Sequence, residues 1–210
     1  MLRMMLALCL ALLVTQDQTA AAKKALESIV PLKQEQPYLQ LVVDTPPEDH
    51  VPATTKTIYF KRQKAYRIDN PGQPSGFDGT RYWSYQKVSN DYRWFKKAPY
   101  TDLLFSGGIL AELCMYGNAD RILKETKQIT VRNEALDGVP CSHLILSMKR
   151  NYEVHVWIDA KNQVLRNQFK SATMNTIMTY KFVDPPATDA ALFSFTPPPD
   201  AKDLTTPDDR

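Results

Sequence analysis

Two hundred and ten residues, 23.9 kDa in all, suffice for one globular domain with short tails, and a chain of this size can bury a core without metal or disulfide staples. Apolar residues at 43% and charged residues at 23% exclude wholesale disorder, a multi-pass membrane protein and a collagen-like fibre. Twenty-six basic against 23 acidic residues leave a charge of +3, too balanced to announce a nucleic-acid binder, and 15 prolines against 7 glycines point away from glycine-rich phosphate loops.

The chain opens with Arg3, an apolar run from Leu6 to Val14, polar residues and then Ala20-Ala21-Ala22. This is the layout of a secretory signal peptide over residues 1–22, cleaved near Ala20–Ala22. At ~1.5 Å per residue the run spans about 14 Å, far short of the ~30 Å of a bilayer's hydrocarbon core. Cys9 follows Leu8 rather than a small residue and comes too early in the run to be a lipid-attachment cysteine. No later stretch approaches 18 apolar residues, so the mature chain is expected to be periplasmic or secreted, with peripheral rather than integral membrane contact. In an oxidising compartment Cys114 and Cys141 are candidates for a disulfide. A bridge would close a loop of about 28 residues and contribute roughly 3 to 4 kcal/mol in the chain-entropy model. Two unbridged thiols are the alternative, since spacing alone does not fix the Cα separation.

Residues 20–31 read as a helix, with Ala21, Ala22, Ala25, Leu26, Ile29 and Val30 at helical spacing and Pro31 as the stop. Tyr38 to Val43 is a short apolar strand. The period then changes to two, placing Ile58 and Phe60 on one face of a strand with Arg62, and Tyr66 with Ile68 on the next. Aromatic strands follow around Tyr82-Trp83-Ser84-Tyr85 and Tyr92-Arg93-Trp94-Phe95. Residues 101–117 form a helical interlude bent or weakened by Gly107-Gly108. Five further strands run from Lys127 to Val183, separated by turns at Asp137-Gly138, around Asn151, around Asn162 and near Thr173. About nine or ten short strands joined mainly as hairpins, with two helices against one side, predict an α+β fold built on a curling antiparallel sheet. The expected organisation is one domain over 23–200 and a loose tail over 201–210.

Catalytic signatures are thin. The chain lacks H-E-x-x-H, G-x-x-x-x-G-K-[ST], G-x-S-x-G and C-x-x-C, so the expectation is a non-enzymatic protein with no cofactor and no resident metal. His143 and His155 fall on neighbouring strands with Asp159 nearby, an arrangement that could make a metal trio, although two strand histidines are much more often structural. Cys141 and His143, at i and i+2, share a face but lie about 7 Å apart, too far for thiol activation.

The segment Phe60-Lys61-Arg62 through Asp78-Gly79-Thr80-Arg81-Tyr82-Trp83-Ser84-Tyr85 resembles the LolA/LolB-like periplasmic lipoprotein carriers. The order is a Lys-Arg strand, an aromatic strand, an acidic and proline-bearing loop, then Asp-Gly and an aromatic strand. A second patch, Leu136 to Phe169, with Gly138-Val139-Pro140-Cys141-Ser142-His143-Leu144 and Trp157-Ile158-Asp159, resembles exported relatives of that family, as does the ending Leu192 to Lys202. The resemblance implies an open half-barrel of antiparallel sheet, LolA-like, with helices lying on its concave, apolar face. It also implies that Arg62 helps to gate ligand entry, although Gln63 replaces the proline usual in the carriers.

On this reading Ile58, Phe60, Tyr66, Trp83, Tyr85, Phe169, Met178 and Tyr180 line an apolar groove, provided Trp83 and Tyr85 share a face with Phe60 and Tyr66, and Arg62 contacts the lid or a headgroup. Val154, Val156, Ile158, Leu165 and Phe182 extend the same surface. The expected function is an exported carrier that holds a lipid or a lipoprotein acyl chain between sheet and helical lid. The alternative is a structural or sensory envelope module with a closed core that binds a protein partner. Nucleic acid is not an expected partner.

Overall fold

A computed structural model describes residues 17–29, 38–47, 52–61, 64–96, 102–116, 119–183 and 190–209. Helix α1 covers residues 17–27. Six strands follow: β1 Tyr38–Thr45, β2 Thr54–Lys61, β3 Ala65–Asp69, β4 Ser75–Phe77, β5 Tyr82–Gln86 and β6 Asp91–Phe95. Helices α2 Asp102–Tyr116 and α3 Asp120–Lys124 lead into β7 Thr126–Leu136, β8 Val139–Met148, β9 Glu153–Asp159, β10 Val164–Lys170 and β11 Asn175–Val183. A 3-10 turn at Ala190–Leu192 and the two-residue strand β12, Lys202–Asp203, complete the chain with a second 3-10 turn at Pro207–Asp209. The described residues fall into two compact units, one comprising Met1–Lys33 and Asn118–Ile177, the other Gln34–Gly117 and Met178–Arg210.

In the first unit, β7 to β10 form consecutive antiparallel hairpins in the order β10-β9-β8-β7. The turns use residues that tolerate positive φ: Asp137 (51°) with Gly138 (84°), Asn151 (60°) and Asn162 (60°). Alternation divides the sheet cleanly. Leu144, Leu146, Met148, Val154, Val156, Ile158 and Phe169 are buried on one face. Leu165 sits where the β9–β10 register slips between Val164 and Arg166, which takes it off that face and brings Asn167 onto it. Ala22, Leu26 and Ile29, one stripe at i, i+4 and i+7, are fully buried. Helix α1 is tied at both ends: Gln18 Oε1 accepts the Val131 N–H at 2.6 Å, and Ser28 Oγ donates to Asn162 Oδ1 at 2.9 Å. The helix thus begins earlier than periodicity suggests and ends before Pro31, which lies outside the described residues. The apolar part of the expected signal peptide lies outside them too.

In the second unit the strand order is β12-β6-β5-β4-β3-β2-β1-β11, antiparallel throughout except that β12 runs parallel to β6. Helix α2 packs against β1, β2 and β3. Residues 201–209, expected to be loose, are instead pinned. Lys202 and Leu204 N–H groups bond to the carbonyls of Asn90 and Tyr92 at 2.9 Å, Thr205 is buried, and its Oγ1 accepts the Trp94 N–H at 3.1 Å. The charged composition of the tail conceals this, because the bonds are made by backbone and one hydroxyl.

Candidate functional site

Register decides which of the predicted groove residues meet. In an antiparallel sheet, residues directly opposite one another share a face. Leu39 opposes Phe60, which opposes Tyr66; Leu41 opposes Ile58, and Val43 opposes Tyr180. Ile58, Phe60, Tyr66, Met178 and Tyr180 therefore stand on one face of the second unit, as expected. Ile58 and Phe60 are 0% exposed, and Tyr66 and Met178 are also buried.

This face lies against α2, whose residues from Gly107 to Met115 are all buried. Gly107 sits directly on Ile58: a Cβ there would lie inside van der Waals distance of Ile58 Cδ1 and Ala111 Cβ. Gly108 interrupts the helix with φ 66° and ψ −167°, a conformation open essentially to glycine alone. Burial holds the Tyr180 phenol well above the usual range, and its hydroxyl donates to Met178 Sδ at 3.8 Å.

Trp83 and Tyr85 are on the other face. The three-residue strand β4, hidden in a stretch that reads as a loop, sets the parity: Gly76 opposes both Arg67 and Trp83, while Phe77 opposes Tyr66 and Tyr82. Tyr66, Phe77 and Tyr82 thus cluster on the α2 side, with Phe77 and Tyr82 stacked at 4.4 Å. Trp83, Tyr85, Tyr92 and Trp94 cluster on the opposite side around Phe195, at centroid distances of 4.6, 6.0, 5.9 and 5.8 Å. Phe193 packs on Tyr38 from the same side, at 6.2 Å. Arg62 and Gln63 lie outside the described residues. Phe169 belongs to the first unit, fully buried on its apolar face.

The polar face of the first unit carries a hydrogen-bonded row that sequence reasoning only half anticipated. Glu134 Oε1 accepts from Trp157 Nε1 at 2.7 Å and meets His143 Nδ1 at 2.9 Å. His143 Nε2 meets His155 Nδ1 at 3.0 Å, and His155 Nε2 lies 3.3 Å from Glu153 Oε2. The His143 and Trp157 rings stack at 4.2 Å. Burial holds His143 below the ordinary imidazole value despite the Glu134 carboxylate beside it, and the Trp157 N–H bond holds Glu134 below the usual carboxylate range.

No metal trio forms. The histidine nitrogens are engaged with each other and with the two glutamates, and Asp159 Oδ1 accepts the N–H groups of Lys161 and Gln163 in its own turn. Among the described residues no group of three or more His, Cys, Asp and Glu is arranged to hold an ion.

Neither cysteine forms a disulfide. Cys114 is buried within α2, and Cys141 is buried on β8 with Sγ 3.2 Å from the Val139 carbonyl. Burial pushes the Cys141 thiol above its usual range, the opposite of what a nucleophile needs. An open hollow of about 410 Å³ adjoins it, walled by Ala135, Pro140, Ile158 and Ala160.

No helix among the described residues is long and apolar enough to cross a membrane. No family model and no curated protein matches the chain. Solved structures do. An uncharacterised conserved protein from Thermus thermophilus aligns with a TM-score of 0.55 at 12% identity, over 89% of this chain and 99% of that one. A LolA superfamily protein from Nitrosomonas europaea aligns at 0.45 and 12% identity, over 83% and 97%. The Mycobacterium tuberculosis lipoprotein LppX aligns at 0.43 and 12% identity, over 81% and 99%. Likeness at these identities is likeness of fold, and the chain shares an α+β fold with the Thermus thermophilus protein.

Proposed function

We propose that the protein is an exported, non-enzymatic binding protein that holds a lipid or lipoprotein acyl chain between β1–β3 and α2, with α2 as the lid. The observation that carries this reading is the break at Gly108 in a helix buried from Gly107 to Met115. A helix whose buried residues from Gly107 to Met115 are apolar except for Glu112, with a hinge-capable glycine in it, covers a face built from Ile58, Phe60 and Tyr66. Swinging the helix aside exposes apolar surface on both partners, which an acyl chain can replace at ~0.8 kcal/mol per buried CH₂. One long chain then gives a useful but reversible affinity. Arg62, which follows Lys61 in sequence, gates ligand entry, the role the sequence resemblance implies, or contacts a headgroup.

Native mass spectrometry of protein purified from the exported fraction, followed by organic extraction, tests this. A discrete extra mass released as lipid or acylated peptide is the expected result. A bare polypeptide mass that takes up neither added fatty acid nor phospholipid overturns it. The second reading, a closed module that binds a protein, is favoured by the complete burial of Ile58 and Phe60 beneath the chain's own helix.

A further inference from the structure

The aromatic slot on the face of the second unit away from α2 is unlike a core. Trp83, Tyr85, Tyr92 and Trp94 come from the adjacent strands β5 and β6, with Trp83 opposite Trp94 and Tyr85 opposite Tyr92. Together they surround one side chain, Phe195. That side chain is delivered by the segment Ser194–Pro198, which has no helix or strand structure. The segment continues Phe195-Thr196-Pro197-Pro198-Pro199-Asp200. Asp200 is received by Asn90, whose Nδ2 donates to Asp200 Oδ2 at 3.0 Å while its Oδ1 accepts from Tyr85 Oη at 2.8 Å. In a segment made of an aromatic residue, prolines and an acid, the aromatic ring is thus held by aromatic walls and the acid by one polar clamp. Grooves that recognise polyproline II peptides are built in this way.

The occupant nevertheless leaves the slot incomplete. Trp83 is 2% exposed, and its indole Nε1–H is buried with no hydrogen-bond partner among the described residues. Phe195 covers the ring at 4.6 Å with the planes 8° apart, but a phenyl group offers no acceptor in the ring plane. A proline-rich backbone supplies carbonyl acceptors without adding N–H groups that need partners of their own. Cations stand at the rim: Arg81 lies 4.2 Å over the Trp94 ring and Arg67 6.0 Å from that of Trp83.

We propose that this slot is a docking site for an extended, proline-rich peptide that carries an aromatic side chain and an acidic residue, and that Phe195 occupies it in cis until such a partner displaces it. The tail stays attached during the exchange through β12 and Thr205, which bond to β6 independently of Phe195. The proposal does not depend on whether the opposite face takes lipid.

The test uses the full chain and a synthetic peptide of residues 192–201, followed by the indole N–H resonances of ¹⁵N-labelled protein. Trp83→Phe serves only to assign the Trp83 signal. Phe195→Ala is expected to bind the peptide at least tenfold more tightly than the unmodified chain, with the Trp83 N–H signal moving back towards its position in the unmodified chain as a phenyl ring again covers the indole. A folded Phe195→Ala protein that binds no peptide at millimolar concentration overturns the proposal. So does equal binding of a control peptide with Pro197–Pro199 replaced by alanine. Should Phe195→Ala not fold, ¹⁵N-labelled peptide is titrated with the unlabelled unmodified chain to millimolar concentration: shifts of the peptide signals with the proline peptide and not the control support the slot, and no shift overturns it.

Discussion

Trp83 lies between Gly76 and Phe195: the phenyl ring stacks on one side of the indole, and on the other a glycine on the neighbouring strand leaves room for it. A Cβ on Gly76 would come within 2.9 Å of Trp83 Cζ2 and 2.5 Å of the Tyr66 carbonyl oxygen. Gly76→Ala is therefore expected to destabilise the chain by about 1–3 kcal/mol, the usual range for overpacking. Adding Trp83→Phe should recover only part of the loss, because the Tyr66 oxygen belongs to the backbone and cannot rotate away. Urea midpoints of the two single variants and the double variant measure this.

The two glycines of α2 do different jobs, and substitution separates them. Gly108→Ala places an L-residue at φ 66°, ψ −167°, a cost of about 1–3 kcal/mol that no neighbouring change relieves. Gly107→Ala fails by collision with Ile58 and Ala111. Shortening Ile58 to Val should give back part of that loss, so a double-mutant cycle is expected to show coupling of about 0.5 kcal/mol or more between positions 107 and 58 and none between 108 and 58.

Much of this was readable from the chain. The hairpin turns at Asp137-Gly138, Asn151 and Asn162 are where positive-φ residues interrupt period-two runs, and Ile58, Phe60 and Tyr66 share a face because alternation within and across one short turn is enough to place them. The error over Trp83 and Tyr85 has a definite origin. Parity carries across a connection only if every strand in it is recognised, and Ser75-Gly76-Phe77 is too short, and too rich in turn residues around it, to show a period. Phe195 was out of reach for another reason: a residue just ahead of a proline run gives no local sign of what it stacks on. The His143–His155 contact was anticipated, but not Glu134, which comes from a third strand.

Acid should weaken the first unit. His143 has its proton affinity lowered by burial, so between its folded value and the ordinary 6.5 the unfolded chain binds more protons, and stability falls as pH drops through that window. Glu134, depressed chiefly by the Trp157 N–H, contributes stability above the usual carboxylate value and loses it as pH falls further through the depressed one. Denaturant midpoints measured from pH 8 to pH 4 should therefore decline below about 6.5, the unperturbed histidine value. His143→Gln should flatten the upper part of the decline, and Glu134→Gln the lower part. A midpoint unchanged between pH 7 and pH 5 would contradict the assignment.

Thiol chemistry separates folded from unfolded protein. Cys114 and Cys141 are both buried and unbridged, and the Cys141 thiol is held above its ordinary range. Mature native protein should react slowly with a thiol reagent at pH 7.5 and titrate as two thiols only in denaturant, where the thiolate forms at its free value of about 8.5. Reducing agent should leave the melting temperature unchanged. A drop of several degrees on reduction, or fewer than two thiols in denaturant, would show a disulfide.

Processing near Ala20–Ala22 would cut through the first turns of α1, and the position of the cut decides what is lost. Leu26 and Ile29, both fully buried, lie beyond any such site, so the helix keeps most of its apolar anchor. Cleavage after Ala20 removes Gln18, and with it the acceptor of the Val131 N–H on β7, but spares the buried Ala22. The Val131 N–H can turn to water, so the loss should stay near the ~1 kcal/mol of one ordinary hydrogen bond. Cleavage after Ala22 also removes a fully buried methyl group and should cost more. Amino-terminal sequencing of protein recovered from an exported fraction is expected to read from Ala21, Ala22 or Lys23. A chain built to start at Lys23 should melt measurably lower than one that starts at Ala21.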